Sequence, residues 1–143
     1  MSRPALERLV RFWEQLTPAS VARLESVYAE DAYFRDPFNE VRGVGPLKRV
    51  FAHMFETLDA PTFTIRETLL EGSTAVLIWD FDFRVKRWKP DVTRRVHGAS
   101  HVRFAADGRV AWHRDYWDAA GELYAKLPIV GPVMRWLARR LSP

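Results

Sequence analysis

The sequence predicts an α+β domain, with helices first and an antiparallel sheet after them, on three observations. Apolar residues recur at helical spacing up to about residue 58. The period changes to two after Pro61, and short turn signals then divide long runs of β-branched and aromatic residues. Helices followed by a strand meander place the helices on one face of the sheet.

Leu6, Leu9, Val10, Trp13 and Leu16 mark the first helix. Arg3, Glu7, Arg8, Arg11 and Glu14 interrupt them, a pattern unlike the apolar run of a signal peptide. Thr17 followed by Pro18 is an N-cap and first-turn pair for a second helix, which turns Val21, Leu24 and either Val27 or Tyr28 inward. Ala32–Asp36 reads as a short strand stopped by Pro37, which removes a ladder donor. Gly43 and Gly45 loosen the backbone before Pro46 opens a third helix, whose stripe is Leu47, Val50, Phe51, Met54 and Leu58.

From Pro61, Phe63, Ile65 and Leu69 alternate with polar residues, and Glu71-Gly72-Ser73 supplies a hairpin turn. Ala75–Trp88, Val92–Phe104 and Val110–Trp117 are the remaining strands, divided by Lys89-Pro90-Asp91 and Ala106-Asp107-Gly108. Ala119–Leu127 forms a short helix ended by Pro128. Beyond Gly131-Pro132, residues Val133, Met134, Trp136, Leu137 and Leu141 form a basic amphipathic one with Arg135, Arg139 and Arg140.

With 143 residues, 48% of them hydrophobic and 13% aromatic, the chain has room for one substantial core and no second domain. It has no cysteine, which excludes a disulfide framework, a thiolate metal site and a cysteine nucleophile. No stretch is apolar enough for a bilayer span, and the cytoplasm is the default compartment. The net charge of +4 is spread along the chain with no base-reading motif, so nucleic acid is not the expected partner. No glycine-rich phosphate cradle, nucleophile elbow or zinc-helix motif occurs, so any chemistry is expected to need no cofactor and no metal.

The element order, with Tyr28-Ala29-Glu30-Asp31-Ala32 leading into Arg35-Asp36-Pro37, resembles the nuclear-transport-factor-2-like superfamily. The resemblance is closer to its SnoaL-like polyketide cyclase and ketosteroid isomerase branch and covers about residues 5–118. A second landmark is His101-Val102-Arg103-Phe104 with Gly108-Arg109-Val110 and Arg114, which looks like the last hairpin of the isomerases. The resemblance implies a cone-like curved antiparallel sheet wrapped by N-terminal helices around a cavity, a cystatin-like roll. It makes residues 1–143 one SnoaL-like domain with a helical tail from about residue 119, and it implies a homodimer through the outer sheet face, with His97, His101 and Arg103 as contacts. Asp36 falls where the isomerases keep a general base. Phe12 stands in place of their oxyanion-hole tyrosine and Ser100 in place of their protonated aspartate, so strict steroid isomerisation is not expected.

Side chains alternate along a strand, so His113, Asp115 and Trp117 share one face, with His113 and Asp115 roughly 6–7 Å apart at the backbone. A histidine beside a carboxylate can act as acid or base, and Asp36 adds a second carboxylate. The strand alone leaves open whether this set or Trp112, Arg114 and Tyr116 faces inward, and the resemblance points the odd-numbered set into the cavity. Val96, Gly98, Ser100, Val102 and Phe104 form a small, apolar face suited to lining it. His97 and His101, roughly 13 Å apart, are too far from one another to share a metal ion. For Asp80 and Asp82 the resemblance favours an inward face, whereas hydrophobicity favours Trp79, Phe81 and Phe83, and Asp80 is carried as a pocket candidate.

Phe12, Trp13, Phe55 and Trp117 are candidate cavity rings, with ordinary core packing as the competing reading. Such rings favour a flat apolar ligand. The expected function is cofactor-independent acid/base chemistry of the isomerase, cyclase, dehydratase or hydrolase type on a small hydrophobic molecule. Asp36, His113 and Asp115 would carry it. The alternatives are a non-catalytic ligand- or peptide-binding domain, and peripheral membrane association through the basic C-terminal helix. For that helix, packing on the domain or over the cavity is the favoured reading.

Overall fold

The computed structural model describes residues 2–122 and 130–142. Helix α1 (Ser2–Glu14) turns Ala5, Leu6, Leu9 and Trp13 into the core and its charged residues outward. Burying each of the larger side chains contributes about 1.5–3 kcal/mol. Thr17 then closes a capping box: its hydroxyl accepts from the Ser20 amide, the Ser20 hydroxyl accepts from the Thr17 amide, and Pro18 follows. Helix α2 is a single turn (Pro18–Val21), and the chain tightens into a 3₁₀ turn at Leu24–Ser26. Val21, Leu24, Val27 and Tyr28 are all buried.

Strand β1 (Tyr28–Arg35) begins well before the predicted Ala32. The cause is long-range pairing. The Val110 amide donates to the Val27 carbonyl, and Tyr28 registers against Val110 before an irregularity that precedes Tyr33. A short edge strand β2 (Glu40–Arg42), unpredicted, leads to α3 (Val44–Thr57). Gly43, at φ +104°, occupies the N-cap, so the helix starts two residues ahead of Pro46.

The rest of the sheet is β3 (Leu58–Glu71), β4 (Thr74–Val85), β5 (Arg94–Phe104) and β6 (Val110–Trp117). Gly72, at φ +60°, makes the tight β3–β4 hairpin that the sequence predicts. Strand β4 stops at Val85 instead of Trp88, where the Trp88 amide turns back onto the Val85 carbonyl. The six strands form one curved open sheet in the order β2-β1-β6-β5-β4-β3. β3 to β6 are the predicted antiparallel meander, whereas β1 joins β6 in parallel. Helices α1 and α3 pack on its inner face, with Leu6, Leu9, Leu47 and Phe51 buried against Phe34, Leu77 and Val102.

After the sheet, α4 is one turn (Ala119–Glu122), and the remainder of the predicted 119–127 helix lies outside the described residues. Helix α5 (Val130–Leu141) exposes Val133, Trp136, Leu137 and Leu141, contrary to the expected packing on the domain. No helix among the described residues is long and apolar enough to cross a membrane.

The outer face of the sheet is polar and charged. Asp80 Oδ2 accepts from Arg66 Nε at 2.8 Å, Asp80 Oδ1 lies 2.8 Å from His97 Nδ1, and Asp82 accepts from Arg95. Further along, Trp112 stacks on Tyr33, meets the His101 ring edge-on and carries the Arg103 guanidinium over its face.

A carboxylate anchored beneath an aromatic cavity

Strand β6 holds the centre of the site. Parity turns His113, Asp115 and Trp117 toward the helices, and Trp112, Arg114 and Tyr116 away. His113 is only 2% exposed. Its Nδ1 lies 2.7 Å from the Tyr28 hydroxyl and its Nε2 lies 2.7 Å from Asp115 Oδ1.

The neighbours fix the protons. Trp13 Nε1–H donates to the Tyr28 oxygen over 3.1 Å, and an indole can only donate. The Asp115 carboxylate can only accept, so Nε2 carries a hydrogen and donates to it, and a ring with that single hydrogen accepts the Tyr28 hydroxyl hydrogen on Nδ1. Burial, with the Asp115 charge adding to it, holds the Tyr28 phenol well above its ordinary pKa, so that hydrogen stays in place. A second arm ends on the same oxygen: Trp79 Nε1–H donates to Ser100 Oγ at 2.9 Å, and Ser100 donates to Asp115 Oδ1. Asp115 Oδ1 thus accepts twice. Its Oδ2 has no protein partner among the described residues.

Above Asp115 opens a cavity of about 290 Å³. Its walls are rings from six elements, among them Trp13 of α1, Phe34 of β1, Phe51 of α3, Phe63 of β3, Phe81 of β4 and Trp117 of β6. Its polar lining comes from Asp36, Asn39, His53, Thr57 and Asp115, and neither lysine nor arginine takes part among the described residues. Gly98 makes the inner wall fit. A Cβ there would lie 2.5 Å from the Trp79 ring and 2.9 Å from Trp117 Cβ, so any larger residue would displace the indole that holds Ser100.

Asp36 follows the last residue of β1 and closes an Asx turn. Its Oδ1 accepts from the amides of Phe38 at 2.8 Å and Asn39 at 2.7 Å, and from Asn39 Nδ2 at 3.1 Å. It therefore caps a turn and lines the cavity at once. Burial pushes its carboxyl above the ordinary value against the pull of those N–H donors, and the Asp115 charge pushes it further.

The predicted site residues separate into two groups. Asp36, Asp115, Trp13 and Trp117 line the large cavity, and Ser100 lies just beneath it as a donor to Asp115. His113 lies in the same cluster but does not line that cavity, and both its ring nitrogens are engaged within the protein. Three candidates do not reach the cavity. Phe12 is one residue, and so about 100°, round α1 from Trp13 and lies over a surface hollow with Arg8 and Thr17. Phe55 is the same step round α3 from Met54 and packs at the edge of the core. Asp80 is on the outer face, where Arg66, Arg95 and His97 pair it. Burying two carboxylates of β4 in place of three rings would cost far more, so hydrophobicity decides that strand.

Tyr28 and Trp79 belong to this hydrogen-bonded cluster, and the sequence did not single them out as site residues. Strand parity with Phe81 and Phe83 was a usable signal for Trp79. Tyr28 had none, because it continues a helical spacing.

A curved sheet with helices on its inner face and polar groups at the base of the hollow defines a protein of the NTF2-like fold, and solved structures of that fold superpose on the chain. A protein of ketosteroid isomerase-like fold from Catenulispora acidiphila, in complex with trimethylamine, does so with a TM-score of 0.72 at 14% identity over 86% of this chain and 92% of that one. An NTF2-like protein from Burkholderia thailandensis reaches 0.70 at 15% identity over 99% and 98%. An M. tuberculosis LEH-like epoxide hydrolase reaches 0.67 at 14% identity over 96% of each chain. The SnoaL-like domain profile matches residues 9–113, and the chain belongs to that family. No curated protein matches it.

Proposed function

We propose that this SnoaL-like domain is a cofactor-independent enzyme that moves a proton on a small, mostly apolar molecule, with Asp115 as base and Asp36 as acid. One observation carries the reading: Asp115 lines a cavity otherwise walled largely by rings, with Oδ1 fixed by two donors and Oδ2 without a protein partner among the described residues. Fixed donors on Oδ1 leave Oδ2 oriented for proton abstraction without reorganisation. At about 290 Å³ the cavity is near the lower end of the usual ~300–1,000 Å³ for small-molecule sites.

In the proposed step Asp115 Oδ2 takes a proton from a carbon next to a carbonyl. Asp36, whose carboxyl burial pushes above its ordinary value, acts in its protonated form and hydrogen-bonds the oxygen on which charge develops. Return of the proton to another carbon gives isomerisation, and attack of the enolate on a second carbonyl gives ring closure. The rate should fall as pH rises through the elevated pKa of Asp36, because the acid is then spent. We place a homodimer contact on the outer sheet face around His101, Arg103 and Trp112, to be checked by sedimentation equilibrium of Arg103→Glu, which should dissociate it.

A holding site without turnover is favoured by one fact, that both nitrogens of His113 are already satisfied. Hydrogen–deuterium exchange separates the two readings. NMR of cyclohexanone and larger cyclic ketones in deuterated water should show enzyme-dependent exchange next to the carbonyl, lost at least ~100-fold in Asp115→Asn. Binding of those ketones with no exchange, or equal exchange by the variant, rejects the enzymatic reading.

A further inference from the structure

Helix α5 stands apart from the site, and its composition is unlike the rest of the chain. Arg135, Arg139 and Arg140 give it three of the four net positive charges of the protein, and it contains no acidic residue. Val133, Leu137 and Leu141 recur every fourth residue and so share one face. All three are exposed, Leu141 at 84%, and none of them lines the cavity. By helical geometry Arg135 and Arg139 lie on the opposite side. Trp136 and Arg140 border the apolar stripe, with the Arg140 guanidinium 5.3 Å from the centre of the Trp136 ring.

We infer that α5 is an interfacial anchor that lays Val133, Leu137 and Leu141 into the surface of an anionic bilayer, with its arginines at the headgroups. Two features select that partner. An uninterrupted basic charge complements anionic lipid, and leucines exposed on the same helix have no use on a nucleic acid backbone. Tryptophan at the border between stripe and charges is the side chain that sits at the headgroup level, one face apolar and one N–H wet. The helix is too short to span, so it lies in the plane of the surface. With only three basic charges and a short stripe, binding is reversible and depends on both terms together.

Co-sedimentation of the full chain with vesicles tests this. The protein should pellet with phosphatidylcholine vesicles containing phosphatidylglycerol, stay in solution with phosphatidylcholine alone, and be released by salt. Because each surface arginine contributes about five-fold, Arg139→Gln with Arg140→Gln should lower the partition coefficient more than about tenfold. Leu137→Ser with Leu141→Ser should lower it as severely. These positions are exposed, so circular dichroism should show both variants folded. No pelleting with anionic vesicles overturns the inference, as does equal pelleting with neutral ones. A loss caused by the arginine variant and not by the leucine variant also overturns it, since that pattern belongs to an acidic protein or to plain charge attraction.

Discussion

The two faces of the central strands each carry a histidine–aspartate pair of nearly the same length. On the inner face His113 lies 2.7 Å from Asp115, and on the outer face His97 lies 2.8 Å from Asp80. Their surroundings differ in kind. The His113 side chain is 2% exposed and that of His97 is 61% exposed. Asp115 is held by the His113 ring and the Ser100 hydroxyl, whereas Asp80 is also held by the guanidinium of Arg66, with that of Arg95 close by. Hydrogen bonds from His97 and Arg66 keep the Asp80 carboxyl below its ordinary pKa. Its stabilising effect is therefore present above the ordinary carboxylate range and lost as pH falls through the depressed value. Contact length says nothing about role. What matters is whether the second carboxylate oxygen is spent on a cation or left facing a cavity.

Removing each carboxylate in turn gives the largest contrast. Asp115→Asn should reduce proton transfer by about 10²–10⁴-fold, and Asp80→Asn should leave the rate unchanged, as read by the ketone exchange assay. Equal effects would remove the distinction between the faces. Next in size, Tyr28→Phe strands the Trp13 N–H and His113 Nδ1 in the core. Each unpaired group should cost about 1–3 kcal/mol in denaturant unfolding. Nitrogen-15 NMR should then show His113 losing its single Nε2–H tautomer, a change that a purely structural tyrosine would not cause. Gly98→Ala should cost about 1–3 kcal/mol by forcing the Trp79 indole aside, and should lower the rate through Ser100.

The smallest effect sharpens the comparison from the other carboxylate. Asp36 has a raised pKa in the folded chain, so folding binds its proton more tightly than the unfolded chain does. Stability therefore declines as pH climbs from the ordinary carboxylate range through that raised value. Asp36→Asn keeps an oxygen for the Phe38 and Asn39 amides and removes the charge. Its melting temperature should exceed that of the wild type at neutral pH and match it in acid. The descending alkaline limb of the rate profile should vanish with it.

Local periodicity carried much of this architecture. The stripe Leu47, Val50, Phe51 and Met54 gave α3, and Val110–Trp117 appears with the predicted bounds. What escaped depended on contacts distant in sequence. Tyr28 follows Val21 and Leu24 at helical spacing, and only the backbone pairing of Val27 and Tyr28 with Val110 turns that segment into a strand. Phe12 and Phe55 are apolar neighbours of cavity residues, and a single helical step decides which ring faces inward. Asp80 shows the limit of carrying over a position by likeness. On β4 the burial of three rings outweighed it, and three basic side chains on neighbouring strands pair the carboxylate outside.

The hydrogen-bond chain through His113 starts at Trp13, in the first helix, and runs through β1 to the last strand before the other arm ends at Trp79. A chain still emerging from the ribosome has its first helix long before it has β6. The Ser100 arm can form within the β4–β6 meander, but the His113 arm is complete only when the two ends of the sequence have met. The proposed proton transfer should therefore appear as the final event of folding, at a rate set by the closure of that long loop. A clipped or partly folded copy would keep its ligand-sized hollow at most, without a prepared base.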